Sequence, residues 1–206
     1  MASTSKPISI IPALLVATAF YITSASVYAK VDPWWLASWQ EAVAKKPTEL
    51  TSFAKMVADD EPGTRLLIKG RVVDPNGRAA EGVIVHAYHR DNNGLDFGHN
   101  DKELTKWRIQ GWAVTDPQGR FTFDTIKAAP DYMGREGGHI HFTTISEEYG
   151  KQWALKAYFS DDKSLTAQQK SLSQKAGEFG PIRDIETTAD GAVIHVALKL
   201  KTEPDF

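Results

Sequence analysis

The chain has 206 residues, with 24 Lys and Arg against 26 Asp and Glu, and no cysteine. This balance leaves no basic stripe for a phosphate backbone, which argues against a nucleic-acid partner. Without cysteine there is neither a disulfide nor thiolate chemistry, so any metal must be held by nitrogen and oxygen donors.

Residues 1–29 read as a secretory signal peptide: Lys6 near the start, an apolar run from Ile8 to Ile22, and small residues ending at Val27-Tyr28-Ala29. The run is too short to span a bilayer and ends in a peptidase-type site. Retained as an anchor, it would leave the same domain tethered outside the membrane. The expected location is therefore periplasmic or secreted, with no membrane partner once the signal is cleaved. What remains is enough for one core, arranged as a helical lead-in over 30–63 and a β domain over 64–206.

Within the lead-in, Asp32-Pro33 is an N-cap followed by proline at the first helical position, and Trp35, Leu36, Trp39, Ala42 and Val43 recur at helical spacing. Pro47-Thr48 opens a second predicted helix with Leu50, Phe53, Ala54 and Val57 on one face, stopped by Asp59-Asp60-Glu61-Pro62-Gly63. The Trp34-Trp35-Trp39 face calls for burial, either on the domain itself or on a second copy, so a homo-oligomer is one expectation.

From Leu66 the period becomes that of strands. Leu66 to Val73, Val83 to His89, Gly111 to Thr115, Arg120 to Ile126, His139 to Ile145, Trp153 to Phe159 and Ala192 to Leu200 are the candidates. Pro75-Asn76-Gly77, Asn92-Asn93-Gly94 and Asp116-Pro117-Gln118-Gly119 are turns between them. A short helix over Leu165 to Lys175 falls in the polar segment from Asp161 to Asp190. Short strands without interleaved helices predict an all-β fold, a β-sandwich of about seven to eight antiparallel strands.

His139-Ile140-His141 stands out among six histidines. Side chains alternate along a strand, so both imidazoles share a face, about 7 Å apart at Cα, and Ile140 turns to the other. Taken alone, such a pair fits a solvated or core-satisfied role better than a ligand pair. Its neighbours shift that balance. Tyr132 supplies a hard phenolate donor suited to a trivalent metal, and Arg135 a guanidinium that can hold an anionic substrate.

The run Tyr132-Met133-Gly134-Arg135 through His139-Ile140-His141 resembles that of the intradiol ring-cleavage dioxygenases, especially their exported branch. Gly70-Arg71-Val72-Val73-Asp74, Tyr88-His89-Arg90-Asp91 with Gly94, Thr115-Asp116 through Phe121, and Ala157-Tyr158-Phe159 are similar to the family's successive strands and turns, over about residues 65 to 200. The resemblance implies a non-haem Fe(III) site. Tyr132 would be the tyrosinate that a bound catechol displaces, His139 and His141 the imidazole ligands, and Arg135 the arginine that stabilises the activated substrate. One extra residue separates Arg135 from the histidines. The family's other tyrosine position holds Asp96 here, which is either a carboxylate ligand or an ordinary turn aspartate.

The remaining histidines carry no such signal. His86, His89 and His195 are expected to be structural and His99 to be a solvated loop residue. Trp107, Trp112 and Trp153 suit core or rim packing, although Trp107 and Arg108 sit where an aromatic substrate could be gripped. Three functional readings follow. The first is an oxidoreductase that opens a small catecholic diol with O2. The second is a periplasmic copper- or zinc-binding protein of the same fold without that activity, and the third a purely structural sandwich.

Overall fold

A computed structural model describes residues 31–96 and 107–206. The signal-peptide reading of 1–29 and the solvated-loop reading of His99 lie outside the described residues. Helix α1, Pro33–Ala44, begins as its sequence predicts: the Asp32 carboxylate accepts the backbone N–H groups of Trp34 and Trp35 at 2.8 and 3.0 Å, and proline follows at the first helical position. The second lead-in helix does not form. Phe53–Lys55 is instead strand β1, laid parallel to Thr122–Asp124. Apolar residues at 50, 53, 54 and 57 satisfy a helical period, but an open sheet edge decides the conformation.

Ten further strands follow: β2 Arg65–Val73, β3 Ile84–His89, β4 Ile109–Val114, β5 Arg120–Ile126, β6 His139–Ser146, β7 Gly150–Trp153, β8 Ala157–Phe159, β9 Ile182–Arg183, β10 Glu186–Thr188 and β11 Gly191–Lys199. They form two sheets, ordered β1-β5-β2-β11-β10 and β4-β3-β6-β8-β9, with β7 also paired to β6. The β-sandwich is as expected from the alternation. The purely antiparallel pattern is not, because β1–β5, β2–β11 and β8–β9 are parallel pairs. Helix α2, Ala167–Ala176, lies in the polar segment and starts in a capping box between Thr166 and Gln169. No helix among the described residues is long and apolar enough to cross a membrane.

Between the sheets, Ile68, Val72, Phe121, Phe123 and Ile194 meet Val85, Ala87, Ala113, Ile140, Phe142 and Phe159, all buried. Each large side chain so removed from water contributes about 1.5–3 kcal/mol. A second, aromatic layer covers the outer face of the six-stranded sheet. There Trp39 and Ala42 of α1 pack on Tyr88, Trp107 and Trp112, joined at the margin by Trp35 and Phe206. The exposed tryptophan of the helix is Trp34, 70% accessible. The alternation of β6 therefore sends Ile140 and Phe142 into the sandwich and His139 and His141 to the opposite, aromatic-covered face.

The predicted strand from Trp153 to Phe159 is broken in two. Thr143 pairs with Trp153, whereas Ile140 pairs with Ala157 and His139 with Tyr158, so the register along β6 slips by one residue between β7 and β8. This is a bulge, and it places Tyr158 opposite His139.

Candidate metal centre

His139 and His141 converge. Their Nε2 atoms are 2.8 Å apart, close to the separation of about 3 Å expected for two imidazole donors at right angles around one ion with bonds of 2.0–2.1 Å. Nδ1 of His139 donates to the Gly137 carbonyl at 2.7 Å. That bond fixes the tautomer and leaves Nε2 with its lone pair. Gly138 lets the entry to β6 pack on the Ala128 backbone, since a Cβ there would strike the Ala128 carbonyl oxygen. Burial lowers the pKa of both histidines, that of His141 strongly, with a further push from His139, Lys156 and Arg90. Both are therefore neutral near pH 7 and able to bind a cation.

Tyr132 and Arg135 sit on the loop that leads into β6, a turn pinned by Asp131 through the backbone N–H of Met133 and a Gly134 N–H to Asp131 carbonyl bond. Tyr132 is 70% exposed. Arg135 is held by Asp131, with Nε and Nη2 at 3.3 and 3.2 Å from its carboxylate. Asp96 ends the turn that starts at Asp91, and its carboxylate accepts from Arg90 Nε at 3.2 Å. Burial raises its pKa in spite of Arg90. Gly94 joins the two loops: its Cα packs on the backbone of Pro130 to Tyr132.

Four polar residues near the imidazoles have no counterpart in the sequence reading of the site. Glu136 Oε1 lies 3.7 Å from His139 Nε2 and accepts from Lys156 Nζ at 2.7 Å and Tyr158 Oη at 2.9 Å. Arg90 stands between Asp96 and Glu136, with Nη2 3.8 Å from Glu136 Oε2, and its buried Nη1 has no hydrogen-bond partner. Burial pushes the Glu136 pKa up, but the bonds from Lys156 and Tyr158 outweigh it and hold the carboxyl below its usual value. Glu136 lies only three residues before His139, whereas cross-strand pairing brings up Arg90, Lys156 and Tyr158, with Tyr158 facing His139.

Of the other described histidines, His86 and His89 are buried, as a structural role requires, whereas His195, expected to be structural, is exposed. His86 is buried, bonded to Gln110, and His89 donates from Nδ1 to the Arg90 carbonyl and meets Thr125 Oγ1 through Nε2. His195 faces outward near Glu186. Arg108 is engaged by Glu61 and Asp91, and Trp107 stacks on Tyr88 at 3.8 Å.

A family model described as Dioxygenase matches residues 40–176, most of the chain. Similar curated proteins include a protocatechuate 3,4-dioxygenase beta chain from Burkholderia cepacia and a chlorocatechol 1,2-dioxygenase from Rhodococcus opacus. The first is 28% identical over 53% of this chain and 51% of its own length, the second 24% over 52% and 48%. The chain belongs to the intradiol ring-cleavage dioxygenases. It spans about half the length of those curated relatives. Among solved structures, 3-chlorocatechol 1,2-dioxygenase from Rhodococcus opacus superposes with a TM-score of 0.56 at 19% identity, covering 82% of this chain and 80% of that one. An intradiol ring-cleavage dioxygenase from Tetranychus urticae gives 0.53 at 19%, covering 76% and 89%. At these identities the superpositions show the fold. Of the family's metal, the structure offers a test: the imidazole pair has the spacing and neutrality of two ligands, and His139 the tautomer of one, with oxygen donors on the adjoining loops. Among the described residues no three His, Asp and Glu side chains already form a closed cage.

Proposed function

We propose that the protein is an oxidoreductase that opens a catecholic diol with O2 at a non-haem Fe(III) site. The observation that carries this reading is the convergence of two neutral imidazoles, His139 and His141, within a chain of the intradiol family. These two would hold the ion, with Tyr132 the phenolate donor from the adjoining loop. When bound, ferric iron would draw charge out of a chelated diol and so make its ring open to dioxygen.

The remaining work falls to the chain. Tyr132 lies on an exposed turn, and its phenolate oxygen would accept the proton released by an incoming diol. Arg90 provides fixed positive charge beside the imidazoles, and its unpartnered Nη1 has a donor left for a diolate oxygen. The exposed, Asp131-bound Arg135 would reach the substrate only by giving up that pair.

The test is the metal content and visible spectrum of the purified protein, before and after catechol is added under air. Stoichiometric iron, a tyrosinate band that shifts with catechol, and oxygen uptake yielding a muconate-type diacid are expected. Copper or zinc, or iron without a catechol-dependent shift, would instead identify a metal-binding member of the family without turnover. From the signal-like sequence of residues 1–29 we further propose that the protein is exported and loses that segment. Intact mass of the exported protein is expected to start at Lys30, and a mass starting at Met1 would reject cleavage.

A further inference from the structure

We propose that the outer face of the five-stranded sheet carries a binding site of its own, a cationic groove that takes a small dicarboxylate between Arg120 and Arg183. It lies on the other sheet from His139 and His141 and needs no metal.

Alternation along the strands sets it up. On β2, Leu66, Ile68 and Val72 enter the core, so Lys69 and Arg71 point outward; on β5, Phe121 and Phe123 do the same for Arg120 and Thr122. The register then places Arg71 directly opposite Arg120, with Lys69 opposite Thr122 two residues away. Like charges facing each other across two strands destabilise a sheet. Among the described residues that line the groove, Glu178 is the one carboxylate. It holds Arg71 Nη2 at 2.7 Å, while Lys69 and Arg120 have no carboxylate partner among the described residues.

Arg183 closes the other end. Its Nη1 donates to the Glu178 carbonyl at 2.9 Å, but its Nε is buried without a partner. Burial also works against its charge and lowers its pKa in spite of Glu178. A buried guanidinium with an unused donor costs free energy until an acceptor meets it, and a carboxylate fits that planar group best.

The shape of the groove selects the ligand. Its volume is about 460 Å³, within the range of about 300–1,000 Å³ typical of sites for small organic molecules. Arg120 rises from β5, whereas Glu178, on the 3-10 turn Gly177–Phe179, and Arg183, on β9, sit in elements packed on β11. Strands β5 and β11 flank β2 and so run about 10 Å apart. Between the two ends lie Thr122 and Ala197, which suit a short hydrocarbon body. A single acid group meets one end; a molecule with an acid group at each end meets both.

The test is isothermal titration of the purified protein with adipate, hexanoate and inorganic phosphate at one ionic strength. Adipate is expected to bind more tightly than either of the others by about 10-fold or more. Arg120→Gln and Arg183→Gln should each weaken adipate by about 10- to 100-fold. The urea midpoint of Arg120→Gln should meanwhile stay at or above that of wild type, because the variant also removes the facing like charge. Lys199→Gln, on β11 outside the groove, and His139→Ala should bind adipate as the wild type does. Equal affinity for the three ligands would reduce the groove to a general anion patch and reject the dicarboxylate. Adipate binding untouched in both arginine variants would place it elsewhere, and its loss in His139→Ala would assign it to the candidate metal centre. Absence of adipate binding would reject the site.

Discussion

Tyr88 lies flat against His141, with ring centroids 4.5 Å apart and planes 5° from parallel. Its hydroxyl accepts the Trp35 indole N–H at 2.8 Å, so helix α1 is tied through one phenol to an imidazole of the candidate metal centre. Trp35→Phe leaves the buried hydroxyl of Tyr88 without that partner and is expected to cost about 1–3 kcal/mol. Adding Tyr88→Phe removes the orphaned hydroxyl and should recover part of the loss. Urea unfolding of the two variants checks this, and an unchanged midpoint in Trp35→Phe would show that the tie carries no stability.

Gly94 has a φ of +79° and lies where a Cβ would strike the Pro130 carbonyl oxygen, whereas Gly77 has a φ of +86° with open space around it. Gly94→Ala is expected to lose about 1–3 kcal/mol, from backbone strain plus overpacking. Gly77→Ala should lose only the backbone part. Because Gly94 joins the Asp96 turn to the Tyr132 loop, its variant should also bind metal more weakly, while that of Gly77 should not. Equal losses in the two unfolding curves would discount the contact.

Burial holds His86 and His89 at a pKa of about 4, below the ordinary 6.5. Above pH 6.5 both are neutral whether the chain is folded or not, and their contribution to stability is complete. As the pH falls from 6.5 towards 4 the unfolded chain takes up protons that the folded one refuses, and stability drops by up to about 3 kcal/mol per histidine. Denaturation midpoints at pH 7.5 and 4.5 should differ accordingly. His89→Gln should flatten part of the slope, and a slope identical to wild type would remove His89 from the account.

The two arginines near the site make opposite predictions. Arg90 is largely buried between two carboxylates, while the Arg135 side chain is 67% exposed on Asp131. Arg90→Met is expected to lower kcat/KM for catechol by about 100-fold or more, and Arg135→Ala to leave it close to wild type. Steady-state oxygen uptake gives the order, and the reverse order would return the substrate-holding role to Arg135.

Much of the sandwich could be read from alternation. Arg120–Ile126 has the limits expected of it, and the placement of Ile140 opposite His139 and His141 follows from a period of two. What escaped was decided between distant segments. Phe53 to Val57 carries a helical spacing, yet β1 forms because β5 has an open edge beside it. The segment from Trp153 to Phe159 has the composition of one strand, yet pairing with β6 forces a bulge into it. The site divides in the same way. The imidazole pair is local and visible, whereas Arg90, Lys156 and Tyr158 reach it and Glu136 only through the pairing of β3, β6 and β8.

Strand β11 lies parallel to β2 through eight successive residue pairs, from Ala192 beside Leu66 to Lys199 beside Val73, in the middle of its sheet. A nascent chain that has not yet reached Gly191 therefore exposes the long flank of β2 with nothing to zip onto it. Closure of that sheet must wait for nearly the whole described sequence, which makes folding a late event with high contact order. During synthesis the polypeptide is open to chaperones, and to pairing with a neighbouring copy, for longer than a protein built from hairpins alone.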